Sequence, residues 1–538
     1  MSSPVAASSP NLQQRLLRAC RSAGRRLKMA DSLGTRLTGH ELLLRIFAAR
    51  AVLERTLAPD ERQVGVMLPP TAGGAVVNAA LALAGRVAVN LNYTSSQAIL
   101  DLCIERAHLR HVISSPAFLS RVKLGLGDRL LDAGALRGQL TAADKAKAFV
   151  LARLVPVGLL DRILGLDRIR PDDVLTVIFT SGSTGDPKGV VLTQENVGSN
   201  VRAIDSMLHL SAADVALGVL PFFHSYGYTT TLWVPLTLEP GVVYHTDPRD
   251  AQVVGRLARE HHATILMATP TFLRIYTRRT PPEDFSSLEA VFGAAEKLTA
   301  DVSDAFERKF GVRPSEAYGC TELSPLVAAN VPPARHVPGR PVDAREGTVG
   351  LPILGCRARI TDREGRRELA VGEEGLLWIS GPNVMQGYLD RPDLTDQVIH
   401  DGWYCTGDIA RLDREGFITI TGRESRFSKV GGEMVPHLSI EEAVNEELGA
   451  ADGDLLAVVT AVPDPAKGER LVVLHLPAAR SPSEIVRRLG ERGLPRLWIP
   501  SADSFAEIDE LPVLGSGKLD LRRLGEIARE RFVDGGPS

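Results

Sequence analysis

No run of eighteen consecutive apolar residues occurs in the chain, which argues against a membrane-spanning helix. Cysteine is scarce. Cys20, Cys103, Cys320, Cys356 and Cys405 stand far apart and form no CxxC pair or Cys/His cluster of zinc type, so they read as reduced thiols. Net charge is nearly absent as well: 62 basic residues against 65 acidic ones leave a formal charge of -3. A molecule without an overall positive field is not expected to bind nucleic acid. The opening MSSPVAASSP lacks the charged and apolar regions of a secretory signal, so a cytoplasmic location is expected.

What is present is material for a large interior, 538 residues of which 44% are hydrophobic, enough for two or three domains. From Gln63 to Asn92 an apolar run, a Pro69-Pro70 turn, a small-residue helix pattern and a second apolar run read as a βαβ unit. Val174 to Phe179 reads as a buried strand, followed after a polar loop by Val197, Val201, Ile204 and Leu208 at helical spacing. Ile265 to Met267 and Ala290 to Phe292 look like further strand cores. Beyond Gly422 and Arg423 the texture changes. Ser439 with Glu442 carries the signature of a capping box, and Leu455 to Val462 and Leu471 to Leu476 are strand candidates. The expected fold class is α/β, a large multi-sheet α/β N-terminal body with a small mobile α+β C-terminal domain. The expected division is 1–29 (tail and basic helix), 30–423 (body) and 424–538 (lid domain).

Two segments leave membrane contact open. Arg15, Arg18, Arg21, Arg25, Arg26 and Lys28 put six cations into fourteen residues with no acid, as in an interfacial anchor or the solvated face of a helix. Phe149 to Leu166 is apolar but broken by Arg153, Pro156, Asp161 and Arg162, and reads as a helical linker packed on the body or as a peripheral membrane contact.

The loop Thr180 to Gly189 (TSGSTGDPKG) follows the strand pattern VLTVIF and offers hydroxyls, backbone N–H groups and one lysine to a polyphosphate. It is not a Walker A loop, because Pro187 rather than glycine precedes Lys188. Tyr318 to Glu322 (YGCTE) adds an aromatic ring, a close-approach glycine at Gly319, a hydroxyl and a carboxylate suited to a hard cation. Asp408 in GWYCTGD and the nearby Arg423 supply a carboxylate and a guanidinium for ribose hydroxyls. Lys518 sits on the glycine-flanked LPVLGSGKLD; in isolation it would read as a solvated lysine.

In this order and spacing the motifs resemble the adenylate-forming superfamily of acyl-CoA synthetases, nonribosomal peptide adenylation domains and beetle luciferases, from about residue 30 to residue 525. NYT at Asn92, PFFHSYG at Pro221, GAAEKL at Gly293, RFSKVGGEMV at Arg426 and PVLGSGKLD look most like the acyl-ACP synthetase half of the bifunctional 2-acylglycerophosphoethanolamine acyltransferases.

The resemblance implies that Thr180, Ser181, Gly182, Ser183, Thr184, Gly185 and Lys188 hold phosphates. Tyr318 would stack on adenine beside Gly293, Ala294 and Ala295, with Gly319 close by and Thr321 at the α-phosphate. Glu322, with Thr184, would bind Mg²⁺. Asp408 and Arg423 would hold the ribose, His224 would line the acyl site, and Lys518 would bridge the carboxylate and the α-phosphate. Lys429 would reach a thiol channel after the C-terminal domain rotates. Ser425 departs from the Asp or Lys usual at the hinge.

The implied reaction is ATP- and Mg²⁺-dependent activation of a fatty acid as acyl-AMP, then transfer to coenzyme A or to the phosphopantetheine of an acyl carrier protein. A separate acyltransferase partner and peripheral contact with the inner face of the membrane are compatible with it. Gly227 and the Gly293-Ala294-Ala295 run are expected to leave room for an acyl chain. A luciferase-like enzyme, a ligase for a non-fatty acid and a silent acyl-AMP-binding protein remain the alternatives. A formal HxxxxD pair, His245 and Asp250, falls inside the body and reads as chance.

Overall fold

The computed structural model describes residues 10–181, 187–337, 343–430, 433–450, 455–465, 468–512 and 519–534. The expected βαβ unit is there: strand Gln63–Val66, helix Ala72–Leu83 and strand Val87–Asn90, with Gln63 opposite Val87 in parallel register. It lies inside a seven-stranded sheet that continues through Val174–Ser181 to Pro187–Thr193 and Gly387–Tyr388. A second sheet has nine strands. Val215–Gly218, Ile265–Ala268, Ala290–Gly293 and Ser315–Gly319 form its parallel centre, with Gly241–Tyr244 and Leu27–Asp31 extending it. Ile265–Ala268 and Ala290–Gly293 are buried at every position, which is why they appear in sequence as unbroken apolar runs.

A third, antiparallel sheet holds Trp403–Leu412 between Gly375–Ser380 and Ile418–Arg423. The next strand, Phe427–Val430, belongs to the C-terminal sheet with Glu433–Pro436, Gly468–His475, Ala457–Asp464 and Phe505–Glu507. A large α/β body and a smaller α+β unit result.

Three expectations change. The division at residue 29/30 cuts through strand Leu27–Asp31, whose Met29 pairs with Val242. Helix Leu12–Ala23 also belongs to the body, because Leu12, Leu16, Leu17 and Cys20 form an apolar stripe beneath its arginines and are buried in the main core. The cations are largely occupied by the protein itself: Arg18 pairs with Asp161 at 2.8 Å, and Lys28 is buried with its ammonium on the carbonyls of Leu238 and Pro240. That burial pulls the Lys28 pKa down to about 8.

The Ser439/Glu442 capping box does not form. The hairpin strand Glu433–Pro436 runs straight into helix His437–Leu448, so Ser439 already lies within the first turn. Glu442 instead receives Lys297 of the body at 2.5 Å.

Candidate functional site

The phosphate-loop candidate spans the end of one strand and the start of the next. Strands Val174–Ser181 and Pro187–Thr193 pair antiparallel, Thr180 opposite Lys188. Gly182, Ser183, Thr184 and Gly185 lie outside the described residues, as does the side chain of Ser181. Lys188, half-buried, holds its ammonium 5.1 Å from the centre of the Tyr388 ring. Tyr388 reaches this place because Gly387–Tyr388 adds an antiparallel edge to the same pair of strands, Tyr388 opposite Val190. Its hydroxyl donates to Glu322 Oε1 at 2.9 Å. One aromatic residue therefore connects the cation of the loop to the carboxylate of YGCTE.

Backbone crowding fixes Glu322 and Thr321. A Cβ on Gly319 would stand 1.8 Å from the Pro325 carbonyl oxygen, so only glycine lets the chain double back here. Below this turn Asn200 and Asn383, both buried, donate to the Leu323 and Leu326 carbonyls, and Asn200 accepts from the Leu326 amide at 2.7 Å. Ser225, from PFFHSYG, donates to Thr321 Oγ1 at 3.2 Å.

The other half of the site comes from the third sheet. Asp408 lies opposite Arg423 across strands Trp403–Leu412 and Ile418–Arg423, with Arg423 Nε 3.3 Å from Asp408 Oδ1. The Tyr318 hydroxyl donates to Asp408 Oδ2. Burial, with the Asp408 charge beside it, pushes the Tyr318 phenol well above its ordinary pKa, so it remains a donor at every physiological pH. Arg423 is held above its usual value by Asp408. Burial also raises the Cys320 thiol, with Glu322 and Asp408 adding to the effect. Cys320 is therefore protonated at neutral pH and is not a nucleophile.

Strand Ala290–Gly293 runs parallel to Ser315–Gly319, and Ala295 just beyond it has φ 73°, a left-handed conformation that a non-glycine residue adopts at some cost and that clusters at ligand clamps. His224 precedes the short turn Ser225–Gly227, its ring 4.4 Å from that of Phe223, which in turn meets Tyr93 of the NYT motif edge-on at 4.7 Å.

The expected space for an acyl chain is not where the glycines are. A Cβ on Gly227 would lie 2.3 Å from the Pro221 carbonyl oxygen, and one on Gly293 would lie 3.1 Å from Leu298 methyls. These residues are small because protein atoms already fill the place of a side chain. Lys518 lies outside the described residues; Lys429 sits in strand Phe427–Val430, opposite Met434, with its side chain outside them too. His245 accepts or donates at Nδ1 to Ser32 Oγ (2.8 Å), while Asp250, 3.7 Å from Nε2, caps helix Ala251–His261. Both are thus engaged in local structure, in keeping with a chance HxxxxD.

Tyr388, Asn200, Asn383 and Ser225 were not singled out by sequence. Tyr388 lies some two hundred positions from Lys188, and only the strand pairing brings them together.

Among the described residues no cluster of three or more His, Cys, Asp or Glu side chains is placed to hold a metal. A single carboxylate, Glu322, beside a phosphate-type loop instead fits a Mg²⁺ whose other ligands are phosphate oxygens and water.

The sequence model of the AMP-binding enzyme family matches residues 16–389. The chain belongs to that family. It is 28% identical over 528 residues to a long-chain-fatty-acid–CoA ligase of Yersinia pestis, covering 92% of this chain and 90% of the relative. It is 32% identical to a sulfoacetate–CoA ligase of Cupriavidus necator, over 66% of this chain and 67% of the relative. Among solved structures, o-succinylbenzoate coenzyme A synthetase (MenE) from Bacillus subtilis with ATP and magnesium ion superposes with a TM-score of 0.77 at 22% identity, covering 95% of this chain and 98% of that one. The relatives named are coenzyme A ligases, and nothing among them supports the closer likeness to an acyl-ACP synthetase. The match beginning at residue 16 agrees with the packing of the first helix into the body.

Proposed function

We propose that this AMP-binding enzyme activates a fatty acid as acyl-AMP, releasing pyrophosphate, and transfers the acyl group to the thiol of coenzyme A. The observation that carries the reading is the convergence of Lys188, Tyr388 and Glu322 with Tyr318, Asp408 and Arg423, which matches the needs of a nucleotide triphosphate. The fatty-acid assignment is supported by the Yersinia pestis relative, which is aligned along nearly its whole length. The sulfoacetate ligase among the relatives marks how far the acid varies within the family.

In this reading Thr180, Ser181, Gly182, Ser183, Thr184, Gly185 and Lys188 hold the phosphates, Tyr318 packs on adenine near Gly293, Ala294, Ala295 and Gly319, and Thr321 meets the α-phosphate. Asp408 accepts from ribose hydroxyls while Arg423 keeps that carboxylate ionised and in place. A carboxylic acid is ionised at neutral pH, so no general base is needed; the obstacle is like charge meeting like charge. Lys188 and Lys518 counter it by electrostatics and positioning. Mg²⁺ held at Glu322, with Thr184, supplies further charge neutralisation at the phosphates. His224 lines the acid, and Lys429 serves the thiol step after the C-terminal unit, residues 424–538, has moved. A carrier-protein phosphopantetheine, with a separate acyltransferase downstream, is the alternative acceptor route, and peripheral membrane contact suits a lipid substrate.

Purified protein with ATP, Mg²⁺ and acids of graded length should release pyrophosphate and AMP, preferring palmitate to acetate by at least about tenfold in kcat/KM, since a few buried methylenes at ~0.8 kcal/mol each suffice. Coenzyme A and holo-carrier protein are then offered in parallel. ADP and phosphate as products would refute adenylation; equal use of acetate and palmitate would refute the fatty-acid assignment.

A further inference from the structure

Helix Ala142–Arg153 does not turn its large apolar side chains toward the core. Its inward face is Asp144, Ala148 and Ala152, small or charged, with Asp144 receiving Arg55 of helix Gly39–Thr56 at 2.7 Å. Its outward face, at positions 146, 149, 150, 153 and 154, carries Ala146, Phe149, Val150, Arg153 and, in the cap, Leu154. Helix Val157–Ile163 repeats the pattern: Leu160 is buried, while Leu159, Arg162 and Ile163 face out. Leu154 is 67% exposed, Ile163 55%, Leu159 49% and Phe149 48%. Five of the twelve large hydrophobic side chains that the described residues leave exposed fall within these fifteen positions. A protein that buries alanines and presents phenylalanine, leucine and isoleucine has shaped that face for contact.

The surroundings select the partner. Between residues 145 and 168 the exposed charges are Lys145, Lys147, Arg153, Arg162 and Arg168 against Asp167 alone, because Asp161 is buried on Arg18. Arg21 of the first helix donates to the Leu151 and Val155 carbonyls, at 2.9 and 2.8 Å, and so fixes the turn between the two helices. A second copy of the chain docked through this face would set these cations against their own kind. An acidic bilayer meets both requirements, since arginine and lysine stems lie along acyl chains while their charged ends reach the phosphates.

The geometry points to the outward face of helices Ala142–Arg153 and Val157–Ile163, with Lys147, Arg153 and Arg162 beside it, as a docking surface for an anionic lipid membrane, entered by Phe149, Leu154, Leu159 and Ile163. Among the described residues no helix is long and apolar enough to cross a bilayer, so what is proposed is attachment at the surface. The inference is independent of the reaction assigned above, and its test leaves chemistry aside.

The full chain is to be sedimented with vesicles of phosphatidylcholine alone and of phosphatidylcholine containing about one third phosphatidylglycerol, at low and high salt. Binding is expected to the acidic vesicles, weakening with salt. Leu154→Ser with Ile163→Ser should lose about tenfold in partition per removed anchor, and Arg153→Gln with Arg162→Gln roughly fivefold per charge. Both double variants should keep the wild-type melting temperature. Failure to bind acidic vesicles, equal binding to neutral ones, or wild-type binding by both double variants would overturn the proposal. So would a lipid-free dimer that Leu154→Ser dissociates.

Discussion

Replacing Asp408 by asparagine isolates one charge in the candidate nucleotide site with little change of shape. The wild-type carboxylate is 13% exposed, accepts the Tyr318 hydroxyl and faces Arg423 Nε at 3.3 Å, so both donors that orient it are already in place. A hydrogen bond to a charged acceptor contributes about 1.5–3 kcal/mol and one to a neutral acceptor about 0.5–1.5, so losing the charge should cost roughly 1–2 kcal/mol of nucleotide binding. That corresponds to an AMP Kd about five to thirty times higher. The amide oxygen still accepts from Tyr318, so the fold should be retained. Calorimetry with AMP and its 2′- and 3′-deoxy analogues completes a double-mutant cycle. If Asp408 accepts from a ribose hydroxyl, removal of that hydroxyl will cost the wild type about tenfold and the variant much less. Strict additivity for both analogues would refute the ribose assignment and leave Asp408 as a structural partner of Arg423.

Tyr388→Phe removes the hydroxyl on Glu322 but keeps the ring under Lys188; we expect pyrophosphate release to fall about fivefold and half-saturation by Mg²⁺ to shift upward, from loss of a bond of about 1 kcal/mol. An unchanged Mg²⁺ titration would remove Tyr388 from the site. Lys518→Ala should slow acyl-AMP formation by roughly two to three decades, on the guide of ~4 kcal/mol for a cation about 4 Å from a phosphate charge, yet form thioester from synthetic acyl-AMP at near the wild-type rate. Equal loss in both half-reactions would end the domain-movement account. Burial raises Glu316 to about 7, so between about 4.5 and 7 the folded state binds more protons than the unfolded, and stability falls as pH rises through that window. Glu316→Gln should therefore melt higher than wild type at pH 8, by up to about 3 kcal/mol, and match it near pH 4; equal shifts at both pH values would contradict the assignment. His437 runs the other way. Burial and Arg426 lower it to about 3, so His437→Gln should flatten the loss of stability on acidification from about 6.5 toward 3, read by denaturant titration.

By itself the sequence determined the α/β class, the βαβ unit at Gln63 to Asn90 and the chemistry of the loops. Parallel strands buried on both faces must be apolar throughout, and phosphate-binding turns must carry small and hydroxyl residues next to one another in the chain. Asp408 and Arg423 were legible for the same reason, each sitting in a short motif, although their pairing across two strands was not. Contacts made at long sequence separation had no local signal. Tyr388 joins Lys188 to Glu322 only because a two-residue strand adds to the edge of the strand pair. Gly227 looked like space and is occupied by the Pro221 carbonyl oxygen, a fact of packing that composition does not carry. The arginines of the first helix looked like a free basic face, whereas the leucines between them bury that helix in the core. Phe149 to Leu166 read as an apolar helical linker, but the sequence did not show which of its side chains would be covered. Only the tertiary structure, by seating Ala148 and Ala152 inward, decided that Phe149, Leu154 and Ile163 would face out.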